Sequence, residues 1–152
     1  MTRFVIGVGH LSVPGSDIER ALGEYYPGSE VNPIQEAPYK EITLPSLYLR
    51  ATHFAERMRV QADSLPDYFV GVASGLIRLG IVGTKRMQIA RIEVAAVMYL
   101  DGATGKATCL NPQDAQWQIK HRVYAQESCL ESVTRLILLL HHTAKERVRP
   151  KA

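Results

Sequence analysis

A chain of 152 residues has room for one domain and buries roughly 70% of the surface its unfolded form exposes, so it needs no disulfide or metal staple. With 46% hydrophobic and 22% charged residues, its composition is that of a folded globular protein and excludes disorder. A net charge of +3 is too weak by itself to argue for a nucleic-acid partner.

Cys109 and Cys129 give no cysteine framework and no C-x-x-C spacing, so they read as plain thiols in a reducing, cytoplasmic setting. Met1-Thr2-Arg3-Phe4 opens without the apolar stretch that secretion requires, and Leu136–Leu140 is far too short to span a bilayer. No membrane contact is expected.

In chain order, Phe4–Val8 predicts a first strand and Gly9–Gly15 the loop after it. Ser16-Asp17-Ile18-Glu19 has the form of a capping box, with Ser16 as the cap. Ile18, Ala21, Leu22 and Tyr25 follow at helical spacing, and Pro27-Gly28 stops the helix. Glu30–Ile34 predicts a weak strand that Pro33 confines to an edge. A second helix starts at Pro45-Ser46 with the stripe Leu47, Ala51, Phe54, Met58 and Ala62.

Asp67–Ile77 is the longest apolar, β-prone run, and it reads as a central strand buried on both faces. It is expected to end in a small-residue kink, Ala73-Ser74-Gly75. Gly71 and Gly75 mark places where something approaches the backbone closely, either a packed helix or a ligand. Ile81–Arg86 predicts a hairpin or loop, and Ile89–Leu100 another strand. Asp101–Gly105 predicts a hairpin turn with Lys106–Leu110 as its return. A long last helix is expected over about Glu127–Glu146, with the stripe Leu130, Val133, Ile137, Leu140 and Ala144. Leu136, Leu138 and Leu139 widen that stripe and imply cover on more than one side. The order predicts one α/β domain over residues 1–147, a mixed twisted sheet flanked by helices, and a basic tail at 148–152.

Ligand sites in such sheets lie at the carboxyl ends of strands, here the Gly9–Gly15 loop and the Ala73–Gly75 kink. A strand–loop–helix junction offers backbone N–H groups to an anion. His10, Ser12, Ser16, Ser74 and Gly75 are therefore the candidate nucleotide or phosphate contacts. Gly102-Ala103-Thr104-Gly105-Lys106 lacks the spacing of a phosphate-binding loop and reads as a turn. His141 and His142 are neighbours on a helix and cannot chelate together, so they read as solvated or helix-terminal. Lys85, Arg86 and Arg91, with Arg50, Arg57 and Arg59, read as a solvated surface. No metal site is predicted.

Taken together these pieces resemble the inosine/xanthosine triphosphatase family of non-canonical purine nucleoside-triphosphate phosphatases. Four segments carry the likeness: Phe4–Val8 with its loop and the helix Ile18–Tyr25; Leu49–Ala55; Asp67–Leu76; and Val94–Gly102 with the closing helix. The resemblance implies an inosine triphosphate pyrophosphatase-like fold, a homodimer, and Mg²⁺-dependent hydrolysis. The family's catalytic positions are largely replaced in this sequence. Ser16 or Asp17 stands where the first loop carries lysine, Pro45-Ser46 where an acidic pair opens helix two, His53-Phe54 where it carries Asn-Arg, and Ala73 where the strand carries glutamate. Asp17 and Asp67 are the remaining catalytic candidates, with Glu93 a possible replacement carboxylate. The expectation is a catalytically lapsed member that binds a purine nucleotide or a protein partner in the former cleft. The alternative is a Mg²⁺-dependent hydrolase of ITP and XTP with a rearranged site.

Overall fold

The computed structural model describes residues 2–9, 15–35, 41–61, 66–80, 83–99, 104–109 and 126–148. These form five strands and three helices: β1 (Phe4–Gly9), α1 (Gly15–Tyr25), β2 (Glu30–Ile34), α2 (Leu44–Gln61), β3 (Tyr68–Gly80), β4 (Met87–Tyr99), β5 (Thr104–Cys109) and α3 (Gln126–Val148). The strands make one sheet in the order β2-β1-β3-β4-β5. β1 runs parallel to both β2 and β3, and β4 and β5 add antiparallel. The α/β class and the mixed sheet are as expected, with β2 and its Pro33 on an edge, where a missing N–H breaks no ladder.

Strand alternation assigns the two faces. Val5, Phe69, Ala73, Ile77, Ile92, Val94, Ala96 and Met98 pack with Leu47, Ala51, Phe54, Ala55 and Met58 of α2. Phe4, Ile6, Val8, Tyr68, Val70, Val72, Ala95 and Val97 pack with Ile18 and Leu22 of α1 and Val133, Leu136, Ile137 and Leu140 of α3. A sheet covered on both sides has apolar residues at every position of its central strands, which is why Tyr68–Val72 lacks polar alternation.

Three local expectations are corrected. Ala73-Ser74-Gly75 is no kink: β3 stays paired with β4 from Tyr68↔Tyr99 to Gly80↔Met87 without a register shift. The antiparallel neighbour supplies hydrogen bonds past the point where β1 ends, so the strand has no reason to break. Ser16 lies inside α1 rather than at its cap, because the helix already begins at Gly15. Leu138 is 60% exposed and Leu139 half-buried, so α3 is covered on one side. In α2 the cap is Thr43, whose Oγ1 accepts from the Ser46 backbone N–H at 3.3 Å. Ala62 and residues 101–103 of the expected turn Asp101–Gly105 fall outside the described residues, while Thr104 and Gly105 already belong to β5.

Gly71 faces a packed helix. A Cβ there would overlap the Ala51 carbonyl oxygen and sit 2.6 Å from the Ala55 nitrogen. Gly75 answers the same way, with a Cβ 2.7 Å from Ile42 Cγ2 and 3.2 Å from Leu47 Cδ1. Gly7, the β1 residue in register with Gly71, would meet Ile34 and Met58. The backbone of α2 therefore lies directly on the sheet. Gly71→Ala forces helix and sheet apart and is expected to lower unfolding free energy by about 3 kcal/mol, the upper end of overpacking costs. Urea unfolding followed by circular dichroism measures it.

Candidate functional site

The strand order places a topological switch beside β1. The chain leaves β1 through α1 to β2 on one side, and later enters β3 on the other side after α2. α1 and α2 cover opposite faces. Between strands whose connections diverge in this way, a crevice opens at their carboxyl ends, where ligands of open α/β sheets bind.

Its wall is read off the register. The last β1–β3 pair is Val8↔Val72, and β1 ends at Gly9. Two residues further along β3 stands Ser74, opposite Glu93 of β4. By alternation both lie on the α1–α3 face, in line with Val72 and Ala95. Ser74 and Glu93 are buried, Glu93 to 1% exposure. Buried carboxylates are rare because desolvation of the charge is costly unless it is hydrogen-bonded or paired. A hydroxyl and a carboxylate thus share the point where β1 stops and β3 continues. Beyond it β3 gains a new neighbour: Glu41 bridges to Leu76, and the Ile42 N–H donates to the Leu76 carbonyl at 2.9 Å. The Arg78 guanidinium holds Glu41 in a two-bonded ion pair at 2.8 and 3.0 Å and keeps its carboxyl below the ordinary range.

The other predicted residues scatter. Asp67 lies at the opposite end of β3, where its Oδ2 accepts from the Arg3 backbone N–H at 2.8 Å. Seven residues of strand, about 23 Å at the usual rise, separate it from Ser74. Gly75 points away from the crevice face, toward Ile42 and Leu47. Ala73 also faces α2. Ser16 and Asp17 are exposed in the first turn of α1. Asp17 lines a groove of about 600 Å³ between α1 and α3. His10 and Ser12 lie outside the described residues. Among the described residues, the named candidates that are brought together are Ser74 and Glu93.

Two further features escaped sequence reading. One is the groove itself. The other is the anchoring of His141. Its Nδ1 is 2.6 Å from the Tyr26 hydroxyl, and its ring meets Tyr25 edge-on at 4.9 Å. Tyr26 in turn packs edge-on to Phe4, which stacks on Tyr68, whose hydroxyl donates to the Thr143 carbonyl. Helical spacing carried the signal, since residue 141 follows Ile137 by four. Burial pushes the Tyr26 phenol above its ordinary value, so it keeps its proton at neutral pH while its hydroxyl hydrogen-bonds His141 Nδ1. A raised folded-state value means that this contribution to stability is complete below the ordinary phenol value of about 10 and is lost as pH rises through the folded-state value. Tyr26→Phe is expected to cost about 1 kcal/mol at neutral pH. The gap to the wild type should shrink above pH 10, as denaturant curves across pH would show.

No protein-family model and no curated protein matches the chain. Among solved structures, it is similar to the crystal structure of protein VC0702 from Vibrio cholerae, with a TM-score of 0.55 and 13% sequence identity over 99% of this chain and 100% of that one. That likeness extends over the whole chain and is one of fold.

Proposed function

We propose that the chain is a nucleotide-binding protein on a purine nucleoside-triphosphatase-like fold whose hydrolytic machinery has lapsed. The observation that carries this reading is the buried Ser74–Glu93 pair at the β1/β3 switch point. In such a crevice a carboxylate accepts hydrogen bonds from base N–H or ribose O–H groups. Phosphates take the other end, at the first turn of α1, where unpaired backbone N–H groups and the helix dipole favour negative charge.

The described residues do not fit a resident Mg²⁺. A hard cation needs converging oxygens, usually carboxylates. Ala73 supplies a methyl on the opposite face and Asp67 sits at the far end of its strand. Among the described residues no group of three His, Cys, Asp or Glu side chains gathers. The resemblance to inosine and xanthosine triphosphatases names the ligand class, and the replaced positions name what is missing.

Differential scanning fluorimetry with ITP, XTP, GTP and ATP tests the reading. At a ligand concentration of about 100 times Kd, linkage adds about 2.7 kcal/mol, which raises the apparent Tm of a chain of this size by about 5–10 °C. Glu93→Gln should weaken binding about tenfold, the worth of one charge-assisted hydrogen bond. Absence of a shift with every nucleotide rejects nucleotide binding and leaves a protein partner for the crevice. Phosphate release from ITP or XTP in the presence of Mg²⁺ or Mn²⁺ replaces this reading with the hydrolase.

A further inference from the structure

β3 and β4 outrun the other described strands. β3 makes its last pair with β1 at Val72 and continues to Gly80, while β4 starts at Met87 and meets β5 first at Val94. Past those points the two strands pair with each other in an unbroken register, a ribbon about 25 Å long at the usual rise. Glu41 and Ile42 brace it at Leu76. Beyond that brace the ribbon uses no residue of the Ser74–Glu93 pair, and it projects into water: Arg78, Gly80, Gly83–Met87 and Ile89 are exposed. Met87 is 55% and Ile89 44% exposed, large apolar side chains that share one strand face. The segment Arg78–Ile92 holds Arg78, Lys85, Arg86 and Arg91 and no Asp or Glu, a local positive field that the net charge of +3 hides. Glu41 holds Arg78 near the base. Lys85 and Arg86 stand in the closing turn, which Gly83 enters at φ 81° and which the Arg86 N–H fastens by donating to Thr84 Oγ1 at 3.2 Å.

We propose that this ribbon is a contact for double-stranded DNA, with Lys85 and Arg86 on backbone phosphates and Met87 and Ile89 against base edges. The major groove of B-form DNA, about 12 Å wide, admits a two-stranded ribbon, and its thymine methyls accept apolar side chains. Cations at the tip neutralise phosphates and fix how deep the ribbon sits. The chemistry selects a duplex over other polyanions. A single strand is held by stacking its bases on aromatic rings, and Arg78–Ile92 contains no Phe, Tyr or Trp. The major groove of A-form RNA is too narrow for side chains to read. Recognition of an anionic membrane uses clusters of about four to eight cations, more than the closing turn presents.

Fluorescence anisotropy of the full chain with a labelled duplex of about 20 base pairs, at about 50–200 mM salt, tests this. The dissociation constant is expected in the range of about 1–100 μM, and the logarithm of affinity should fall with the logarithm of salt at a slope of about −2, for two phosphates neutralised. Lys85→Ala and Arg86→Ala should each weaken binding about fivefold and make the slope shallower by about 1. Arg57→Ala removes an exposed cation from α2 and should change neither quantity. Met87→Ser should weaken binding to an A·T-rich duplex about threefold with the slope unchanged, because it removes an apolar contact and no charge. All four positions are tested in chains whose circular dichroism matches the wild type. No anisotropy change up to about 1 mM protein overturns the proposal. An equal loss with Arg57→Ala and Lys85→Ala overturns it too, since the attraction would then be diffuse. So does tighter binding to a single strand of the same length, or binding to phosphatidylserine vesicles without binding to the duplex.

Discussion

The packing of α2 on three glycines is the constraint on which the rest depends. Gly7, Gly71 and Gly75 line the sheet under a helix that presents Ala51 and Ala55 where it crosses Gly71. With no Cβ on one side and only methyl groups on the other, backbone meets backbone closely. That approach lets Leu47, Phe54 and Met58 reach Val5, Ile34, Ile77 and Met98 on either side. Dispersion contacts fall off steeply with separation, so a shift of the helix axis by one methyl radius would weaken the whole face at once. The same approach fixes the loop that leads into α2. Ile42 lies against Gly75, and its N–H pairs with the edge of β3 beyond the end of β1.

The opposite face is assembled by other means. α1 and α3 share it, and the aromatic chain from Phe4 through Tyr26 to His141 links strand to helix to helix. An apolar contact alone is non-directional and would let α3 slide along its axis. The Tyr26–His141 hydrogen bond and the Tyr68–Thr143 contact add direction, so the register of α3 on α1 is set. One face of the sheet is therefore held by close steric fit and the other by oriented polar and aromatic contacts. The Ser74–Glu93 pair lies on the second face, where polar groups already occur within the packing.

Much of this was legible in the residues. Helix α2 was read from Leu47, Ala51, Phe54 and Met58, and the burial of Ala55 is the one addition among the described residues. The edge position of β2 followed from Pro33, since a residue without an N–H cannot serve a central ladder. The end of β3 was misread because Ala73-Ser74-Gly75 carries turn-forming residues, and only the presence of β4 alongside overrides that local preference. Leu138 was misassigned because a run of leucines does not say how many neighbours will be available to cover it. Of the candidate site, Ser74 and Glu93 were each named, but their pairing is a matter of register between strands nearly twenty residues apart, and no local pattern records it.

By itself the sequence determined the α/β class, the places of the elements and the doubly buried character of the central strand, because these follow from periodicity and from the residues that start and stop each element. It also determined that small side chains at 71 and 75 answer to a close approach. Only the tertiary structure decided that the approaching group is α2, that Asp67 and Ser74 lie at opposite ends of one strand, and that Glu93 comes to rest beside Ser74 where β1 ends. Those outcomes depend on which surfaces meet across long separations in the chain, and burial energy, being blind to direction, leaves that choice to the fit of the whole.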